Sequence, residues 1–141
     1  MDLLELSKGY KLEKKEVFGK GAVFHHMGII LKEKTNTPYS ELHYIYDSTQ
    51  KVEVAFFNLN GLIIEIVLPR SEESPILKAL TNKLFYHHIC FSVPNIQKAL
   101  SVSTNHGIRR ISRITPAVAF EDRNICWCIG KDYGLMELIE K

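Results

Sequence analysis

Two short apolar stretches, each opening on a pair of histidines, dominate the hydrophobic pattern of the chain. Residues 24–31 have the sequence FHHMGIIL, and residues 86–93 have the sequence YHHICFSV. Each is followed by a second apolar run that contains one glutamate, Glu65 in the first half and Glu137 in the second. Short apolar runs rich in β-branched and aromatic residues predict buried strands. The repeated order therefore predicts two similar halves, each with a histidine strand and a glutamate strand.

The first half is predicted to consist of strands alone. Asn60-Gly61 is the strongest hairpin signal in the chain, and it joins predicted strands at 52–59 and 62–68. Residues 42–46 are rich in β-formers and predict a further strand, whereas the polar residues before them predict a loop. No helix is expected after the first strand.

The second half has the pattern of a strand, a helix and three further strands. Its clearest helix is expected from Ile96 to about His106, closed by Gly107. A short helix at 75–80, with Ser74 as its N-cap and Pro75 at its first position, is expected before the second histidine strand. The predicted strands lie at 85–93, 108–114, 125–129 and 135–139, with a loop at 115–124.

Composition narrows the class of protein. Of the 141 residues, 45% are hydrophobic and 24% are charged, which is typical of a globular domain. A formal charge of +2, with no basic stripe interleaved with aromatic residues, indicates no nucleic-acid partner. No apolar run reaches the roughly 18 residues of a membrane span, and the N-terminus lacks the features of a secretory signal. Three cysteines without a disulfide framework favour a reducing cytoplasm.

The chain is expected to divide into an arm and one domain. Residues 1–23 form the predicted N-terminal arm, and residues 24–141 form the predicted domain, with module one at 24–69 and module two at 85–140. Cys126 and Cys128 are expected to be small buried side chains, because cysteine is among the most buried residue types.

A shared divalent metal ion would explain two acids inside apolar strands. An unpaired buried charge costs several kcal/mol, on the order of the stability of a small domain. Two glutamates and two histidines can satisfy one another through one cation, and cobalt, nickel, manganese, zinc and iron suit such ligands alike. The pattern leaves open which histidine of each pair faces inward. Each residue taken singly also fits an ordinary hydrogen-bonded or solvent-facing position.

Several segments carry a family resemblance. They are FHHMGI at 24–29, VAFFNLNGLIIE at 54–65, SPI at 74–76 followed by HHICFSV at 87–93, and GLMEL at 134–138. Over residues 24–140 the chain resembles the vicinal-oxygen-chelate superfamily, the glyoxalase and bleomycin-resistance fold, and within it the methylmalonyl-CoA epimerases.

The resemblance implies both a fold and a site. The fold would be α+β, with two βαβββ modules forming a curled mixed sheet around a metal cleft and the first module lacking its helix. The implied metal ligands are His26, Glu65, His88 and Glu137. The implied activity is that of a metal-dependent isomerase or epimerase that removes a proton next to a carbonyl through a metal-bound enolate. Glu137 is the candidate base and Glu53 the candidate second base.

One departure from the family concerns the loop at 116–124. It is apolar and acidic here, where the family's epimerases have a glycine-rich loop that contacts acyl-CoA. Phe120 and Arg123 in this loop are expected to contact the substrate, an acyl-CoA or other acyl thioester. A homodimer without a membrane partner is expected. A glyoxalase-type lyase acting on a thiol adduct and a non-catalytic ligand-binding member of the fold remain as alternatives.

Overall fold

The computed structural model of the protein describes residue 9 and residues 11–70 and 86–141. This part of the chain forms nine strands, one α-helix and a short 3-10 turn. The strands are β1 Val23–Ile30, β2 Ile45–Asp47, β3 Val52–Leu59, β4 Leu62–Pro69, β5 Tyr86–Val93, β6 Ile108–Arg110, β7 Thr115–Ala117, β8 Arg123–Gly130 and β9 Gly134–Glu140. Helix α1 spans Ile96–Thr104, and the 3-10 turn spans Val118–Phe120.

The two halves of the chain meet at the centre of a single mixed sheet. Its strand order is β2-β3-β4-β1-β5-β9-β8-β6, and β7 also pairs with β8. Within each half the histidine strand runs parallel to the glutamate strand, β1 with β4 and β5 with β9. β1 and β5 pair antiparallel and join the halves. This is the α+β fold with a curled mixed sheet expected from the sequence, and it places the four strands with histidines and glutamates side by side.

Local sequence signals explain the main turn and the start of the helix. Asn60 and Gly61 have φ of 51° and 95°, the left-handed conformation that a two-residue hairpin turn requires. The side chain of Asn95 accepts a hydrogen bond from a backbone N–H in the first turn of α1. Glu140 Oε2 accepts another from the backbone N–H of Ile96 at 2.9 Å. The helix start is therefore capped both from its own chain and from β9.

Only the first three residues of the strand predicted at 108–114 form a strand, β6, and the next strand, β7, begins after it. β6 and β7 both pair with β8, and between them Ser112 Oγ accepts the backbone N–H of Trp127 at 2.7 Å. The ladder is interrupted because a side chain takes the place of a backbone carbonyl. β7 and the 3-10 turn lie in the stretch predicted as a loop, and β2 is shorter than the strand predicted at 42–46. The short helix predicted at 75–80 lies outside the described residues.

As expected, the described residues between β1 and β2 contain no counterpart of the helix that covers the sheet in the second half. Residues 31–44 between β1 and β2 form turns. Tyr39 and Leu42 from these turns pack against Ile64 and Ile66 of β4. In the first half, side chains from these turns therefore shield the face of the sheet that corresponds to the face covered by α1 in the second half.

The N-terminal segment contributes to the core of the second half. Phe18 is buried, and its ring centroid lies 5.4 Å from that of Phe91. Cys126 and Cys128 are buried in the same core beneath α1. The boundary between an arm at 1–23 and a domain at 24–141 stays a prediction. Within the described ranges, no helix is long and apolar enough to cross a membrane.

Candidate metal centre and cavity

Four polar side chains converge where the two halves meet. They are His26 on β1, Glu65 on β4, His88 on β5 and Glu137 on β9, and all four are buried. The Nε2 atoms of His26 and His88 are 3.2 Å apart. Glu65 Oε1 lies 3.6 Å and 3.4 Å from these two nitrogens, and Glu137 Oε1 lies 3.5 Å and 4.0 Å from them. The structure therefore brings together the four side chains that the resemblance implied as ligands, which we name the tetrad.

Sheet register places two small residues among the members of the tetrad. Gly28 lies in register between Glu65 of β4 and His88 of β5. Cys90 lies by the same repeat between the other two members. A Cβ built on Gly28 would overlap Cε1 and Nδ1 of the His88 ring and would lie 2.8 Å from its Nε2. The absence of a side chain at Gly28 thus provides the space that the His88 ring occupies.

The tetrad fits a divalent metal ion. Ligand atoms about 2.0–2.2 Å from one ion lie about 3–3.5 Å from one another. The distances from the histidine nitrogens, 3.2–4.0 Å, are close to that range. Glu137 Oε1 is buried without a hydrogen-bond partner among the described residues, which is costly for a carboxylate unless a cation satisfies it.

Burial shifts the pKa values of two tetrad members, Glu137 and His88, toward neutral side chains. The pKa of Glu137 is raised well above its ordinary value, first by burial and then by the adjacent Glu65 carboxylate. The pKa of His88 is lowered well below its ordinary value, first by burial and then by His26 and His87. A bound cation would reverse the penalty on the carboxylate, and the neutral imidazole keeps a lone pair for it.

Both histidines of each pair reach the site because β1 and β5 carry β-bulges. In the antiparallel register of these strands, His25 is an extra residue on β1 and His87 is an extra residue on β5. A bulge breaks the alternation of side chains between the two faces. The Nδ1 atoms of His25 and His26 are 2.8 Å apart, as are those of His87 and His88. The question that the sequence left open is therefore answered by geometry: the second members form the tetrad, and the first members hydrogen-bond to them.

The first members of the pairs are neutral at pH 7. Burial lowers the pKa of His87 to about 4. Burial, followed by the neighbouring His26 and Arg123, also lowers the pKa of His25. Each ring therefore has one nitrogen that donates and one that accepts a hydrogen bond.

An open cavity of about 390 Å³ reaches the tetrad at Glu65 and Glu137. Its walls are largely apolar and include Val67 and Phe120. The ring of Phe120 stacks on that of His26, with centroids 5.8 Å apart and planes inclined by 28°. The predicted substrate residue Phe120 thus lies in the cavity wall and against a tetrad member.

A hydrogen-bonded bridge crosses from the second half to the first beside the cavity. Trp127 on β8, the only tryptophan of the chain, meets the His88 ring edge to face with centroids 4.7 Å apart. Its Nε1–H donates to Gln50 Oε1 at 3.0 Å, and Gln50 Nε2–H donates to Asp47 Oδ2 at 2.9 Å. Asp47 Oδ1 accepts the backbone N–H groups of Thr49 and Gln50, each at 3.0 Å. The buried Asp47 carboxylate therefore anchors the bridge.

Two predicted site residues lie away from the cavity. Val54 faces the cavity from β3, so the adjacent Glu53 points to the other face of that strand. Glu53 Oε2 lies there 3.6 Å from Nη1 of Arg70. The side chain of Arg123 is exposed, and its Nε–H donates to the carbonyl of Phe120 at 3.1 Å. Neither Glu53 nor Arg123 lines the cavity.

Sequence reasoning missed Gly28 and the Trp127 bridge as parts of the site. The place of Gly28 beside the site could have been predicted, because a residue two positions after His26 lies on the same face of a strand. The bridge was not, because Trp127 and Gln50 lie 77 positions apart and neither belongs to a local motif.

Solved structures share this fold. A hypothetical protein from Bacillus halodurans matches with a TM-score of 0.70 and 25% identity, over 86% of this chain and 96% of that chain. Methylmalonyl-CoA epimerase from Mycobacterium tuberculosis matches with a TM-score of 0.67 and 19% identity, over 83% and 86%. A methylmalonyl-CoA epimerase from Streptomyces coelicolor, in complex with 2-nitronate-propionyl-CoA, matches with a TM-score of 0.63 and 23% identity, over 84% and 94%.

Comparison at the level of sequence points to the same family. A search of the curated proteins found no match. Residues 23–127 match the family described as the Glyoxalase/Bleomycin resistance protein/Dioxygenase superfamily. Because this match spans more than half of the chain and the fold agrees, the protein belongs to the glyoxalase, bleomycin resistance protein and dioxygenase superfamily, which has the vicinal-oxygen-chelate fold.

Proposed function

We propose that this protein is a divalent-metal-dependent isomerase or epimerase that removes a proton from a carbon next to a carbonyl group. The observation that carries the proposal is the tetrad, in which two carboxylate oxygens lie within 4.0 Å of two imidazole nitrogens beside an open cavity. One ion of cobalt, nickel, manganese, zinc or iron suits this donor set.

The residues of the tetrad have distinct proposed roles. His26, Glu65, His88 and Glu137 would hold the ion. When bound, a divalent ion supplies Lewis-acid stabilisation for negative charge that develops on a carbonyl oxygen. Glu137 is also the proposed base, because its carboxylate lines the cavity in which a substrate would bind.

The proposed substrate is an acyl thioester. A cavity of about 390 Å³ accommodates a small acyl group, and its open mouth leaves a long carrier outside. Phe120 in the wall would contact the acyl group, and the exposed Arg123 would meet an anionic part of the carrier. One structural relative is a methylmalonyl-CoA epimerase in complex with methylmalonyl-CoA.

A second candidate reaction is a glyoxalase-type conversion of a thiol adduct. An inverting epimerase needs two acid–base groups on opposite sides of the carbon, and Glu53 does not reach the cavity. Asp47 does line the cavity, but both of its carboxylate oxygens already accept hydrogen bonds, three in all, from Thr49 and Gln50. A single base, Glu137, is sufficient for a proton shift between neighbouring carbons.

Solvent deuterium exchange tests the proposal and separates the two reactions. The Co²⁺-loaded protein should catalyse exchange at the carbon next to the carbonyl of a 2-methyl acyl thioester, or convert a hemithioacetal, and Glu137→Gln should abolish either activity. Exchange with inversion identifies the epimerase, whereas turnover of the hemithioacetal identifies the lyase. Metal binding without either activity would refute the enzymatic proposal and favour a ligand-binding member of the fold.

Glu53→Gln tests the second base that the sequence suggested. The geometry predicts that this variant keeps the activity, because Glu53 lies on the outer face of β3 beside Arg70. Loss of inversion with retained exchange would instead support the expectation from the sequence. The homodimer and the cytoplasmic location also stay predictions, which light scattering and cell fractionation would check.

A further inference from the structure

We infer that His25 and His87 are positioning residues that hold the His26 and His88 rings in the tautomer whose Nε2 atoms can bind a metal ion. This inference rests on the metal site of the proposed function. It concerns two residues that are not members of the tetrad, and it follows from the pairing of β1 and β5.

The same backbone device occurs once in each half of the protein. His25 is the extra residue of a bulge on β1, and His87 is the extra residue of a bulge on β5. In a regular strand the neighbour of an inward-facing histidine would point to the opposite face. The two bulges instead bring both rings of each pair to one side, where their Nδ1 atoms are 2.8 Å apart.

Hydrogen-bond chemistry then fixes the tautomers. One Nδ1 atom of each pair must carry the proton and the other must accept it. If Nε2 of His26 is to offer its lone pair to a cation, its proton must be on Nδ1, and His25 must be the acceptor. The same assignment makes His88 the donor and His87 the acceptor. A metal-bound histidine commonly donates its other N–H to a carboxylate, carbonyl or water, and here a second imidazole takes that position.

The acceptor rings are themselves held in place by aromatic neighbours. The His25 ring meets Phe120 edge to face, with centroids 5.7 Å apart. The His87 ring has the same 5.7 Å centroid distance to Trp127. Trp127 is in turn fixed by its hydrogen bond to Gln50 from the first half. Each acceptor is thus supported from outside its own strand, as orientation of a ligand requires.

The expected effect is a loss of metal affinity in a protein that keeps all four ligands. His25→Ala and His87→Ala should each weaken Co²⁺ binding by about 10- to 100-fold, the range found when outer hydrogen-bond partners of metal ligands are removed. A matched pair of substitutions isolates the hydrogen bond. In His87→Asn the Oδ1 atom takes the place of the Nδ1 acceptor and should restore affinity to within a few-fold. In His87→Gln the oxygen lies one bond further out and should not.

The deciding measurements are Co²⁺ titration of each variant and ¹H–¹⁵N NMR of the imidazoles in the Zn²⁺-loaded protein, because without a cation the two Nε2 atoms, 3.2 Å apart, share a proton. The Zn²⁺-loaded wild type should show coupling across an N–H···N hydrogen bond from Nδ1 of His26 to His25 and from Nδ1 of His88 to His87, and each alanine variant should lose the coupling of its own pair. Unchanged affinity in the alanine variants, equal binding by the Asn and Gln variants, or absence of this coupling in the loaded wild type would each overturn the inference. If the wild type binds neither Co²⁺ nor Zn²⁺, the proposed function fails together with the inference, whereas metal binding that the alanine variants match overturns the inference alone.

Discussion

Gly28→Ala should abolish metal binding at the tetrad although none of the four tetrad residues is substituted. A Cβ at residue 28 would overlap two atoms of the His88 ring and would lie 2.8 Å from Nε2. Non-bonded heavy atoms settle at about 3.5–4.0 Å, so the ring must move by about 1 Å. Metal sites tolerate deviations of about 0.2 Å in ligand distance. The affinity should therefore fall by at least about 100-fold, which corresponds to about 2.8 kcal/mol.

The assay uses Co²⁺ and the single tryptophan. Because Trp127 lies 4.7 Å from His88 between ring centroids, Co²⁺ bound at the tetrad should quench its fluorescence. Titration of the wild type and of Gly28→Ala gives the two affinities. Gly130→Ala is the matched control, since it also adds a methyl group to a strand glycine and crowds Ile108 at 2.9 Å, outside the tetrad. It should bind Co²⁺ like the wild type.

A folded Gly28→Ala protein that binds Co²⁺ with the affinity of the wild type would refute this prediction. Such a result would mean that His88 moves freely without loss of metal, so that it is not a ligand. Loss of binding in both glycine variants would point instead to a general response of the sheet. Urea unfolding of the metal-free proteins shows whether the two variants are equally folded.

Three further predictions concern stability and pH. Glu137→Gln should stabilise the metal-free protein at pH 7 by about 1–3 kcal/mol, because it removes a buried carboxylate. Because the pKa of Glu137 is raised in the folded protein, this gain in stability shrinks as the pH falls and is gone below the ordinary value of 4.5. Added Co²⁺ should no longer raise the melting temperature of the Glu137→Gln variant. Burial lowers the pKa of His87 from 6.5 to about 4. The contribution of neutral His87 to the free energy of unfolding is therefore fully present above pH 6.5. It is lost as the pH falls to 4, because the unfolded chain binds the proton first. Between pH 6.5 and 4 the free energy of unfolding of the wild type should fall by up to about 3 kcal/mol more than that of His87→Asn, measured by urea unfolding of the metal-free proteins. Trp127→Phe should cost about 1 kcal/mol in the same assay through loss of the hydrogen bond to Gln50, and an unchanged stability would show that the bridge contributes nothing.

Elements with local causes were predictable from the sequence. The hairpin at Asn60-Gly61 follows from two residues that adopt positive φ readily, and α1 follows from Asn95 and an apolar stripe. The break between β6 and β7 was not predictable, because it depends on Ser112 meeting the backbone of Trp127 on another strand. Sequence periodicity describes neighbours along the chain and carries no signal for such a contact.

Glu53 shows how far a residue assignment from sequence extends. Its position on a strand was correct, but a shift of one residue along a strand reverses the face on which a side chain lies. Val54 therefore faces the cavity, while Glu53 lies beside Arg70. The pairing of β3 with β4 decides which side chains of β3 face the cavity, and the sequence of one strand alone does not specify that pairing.

The amino-acid sequence determined the duplicated order of histidine and glutamate strands, and with it the tetrad residues that the fold brings together. Tertiary structure alone decided how the other residues serve them. The bulges at His25 and His87 depend on the relative register of β1 and β5, strands that lie more than fifty residues apart. The candidate metal-binding residues follow from residue types and their order along the chain, whereas the orientation of each ring depends on contacts between distant strands. Those contacts exist only once the two halves have packed together.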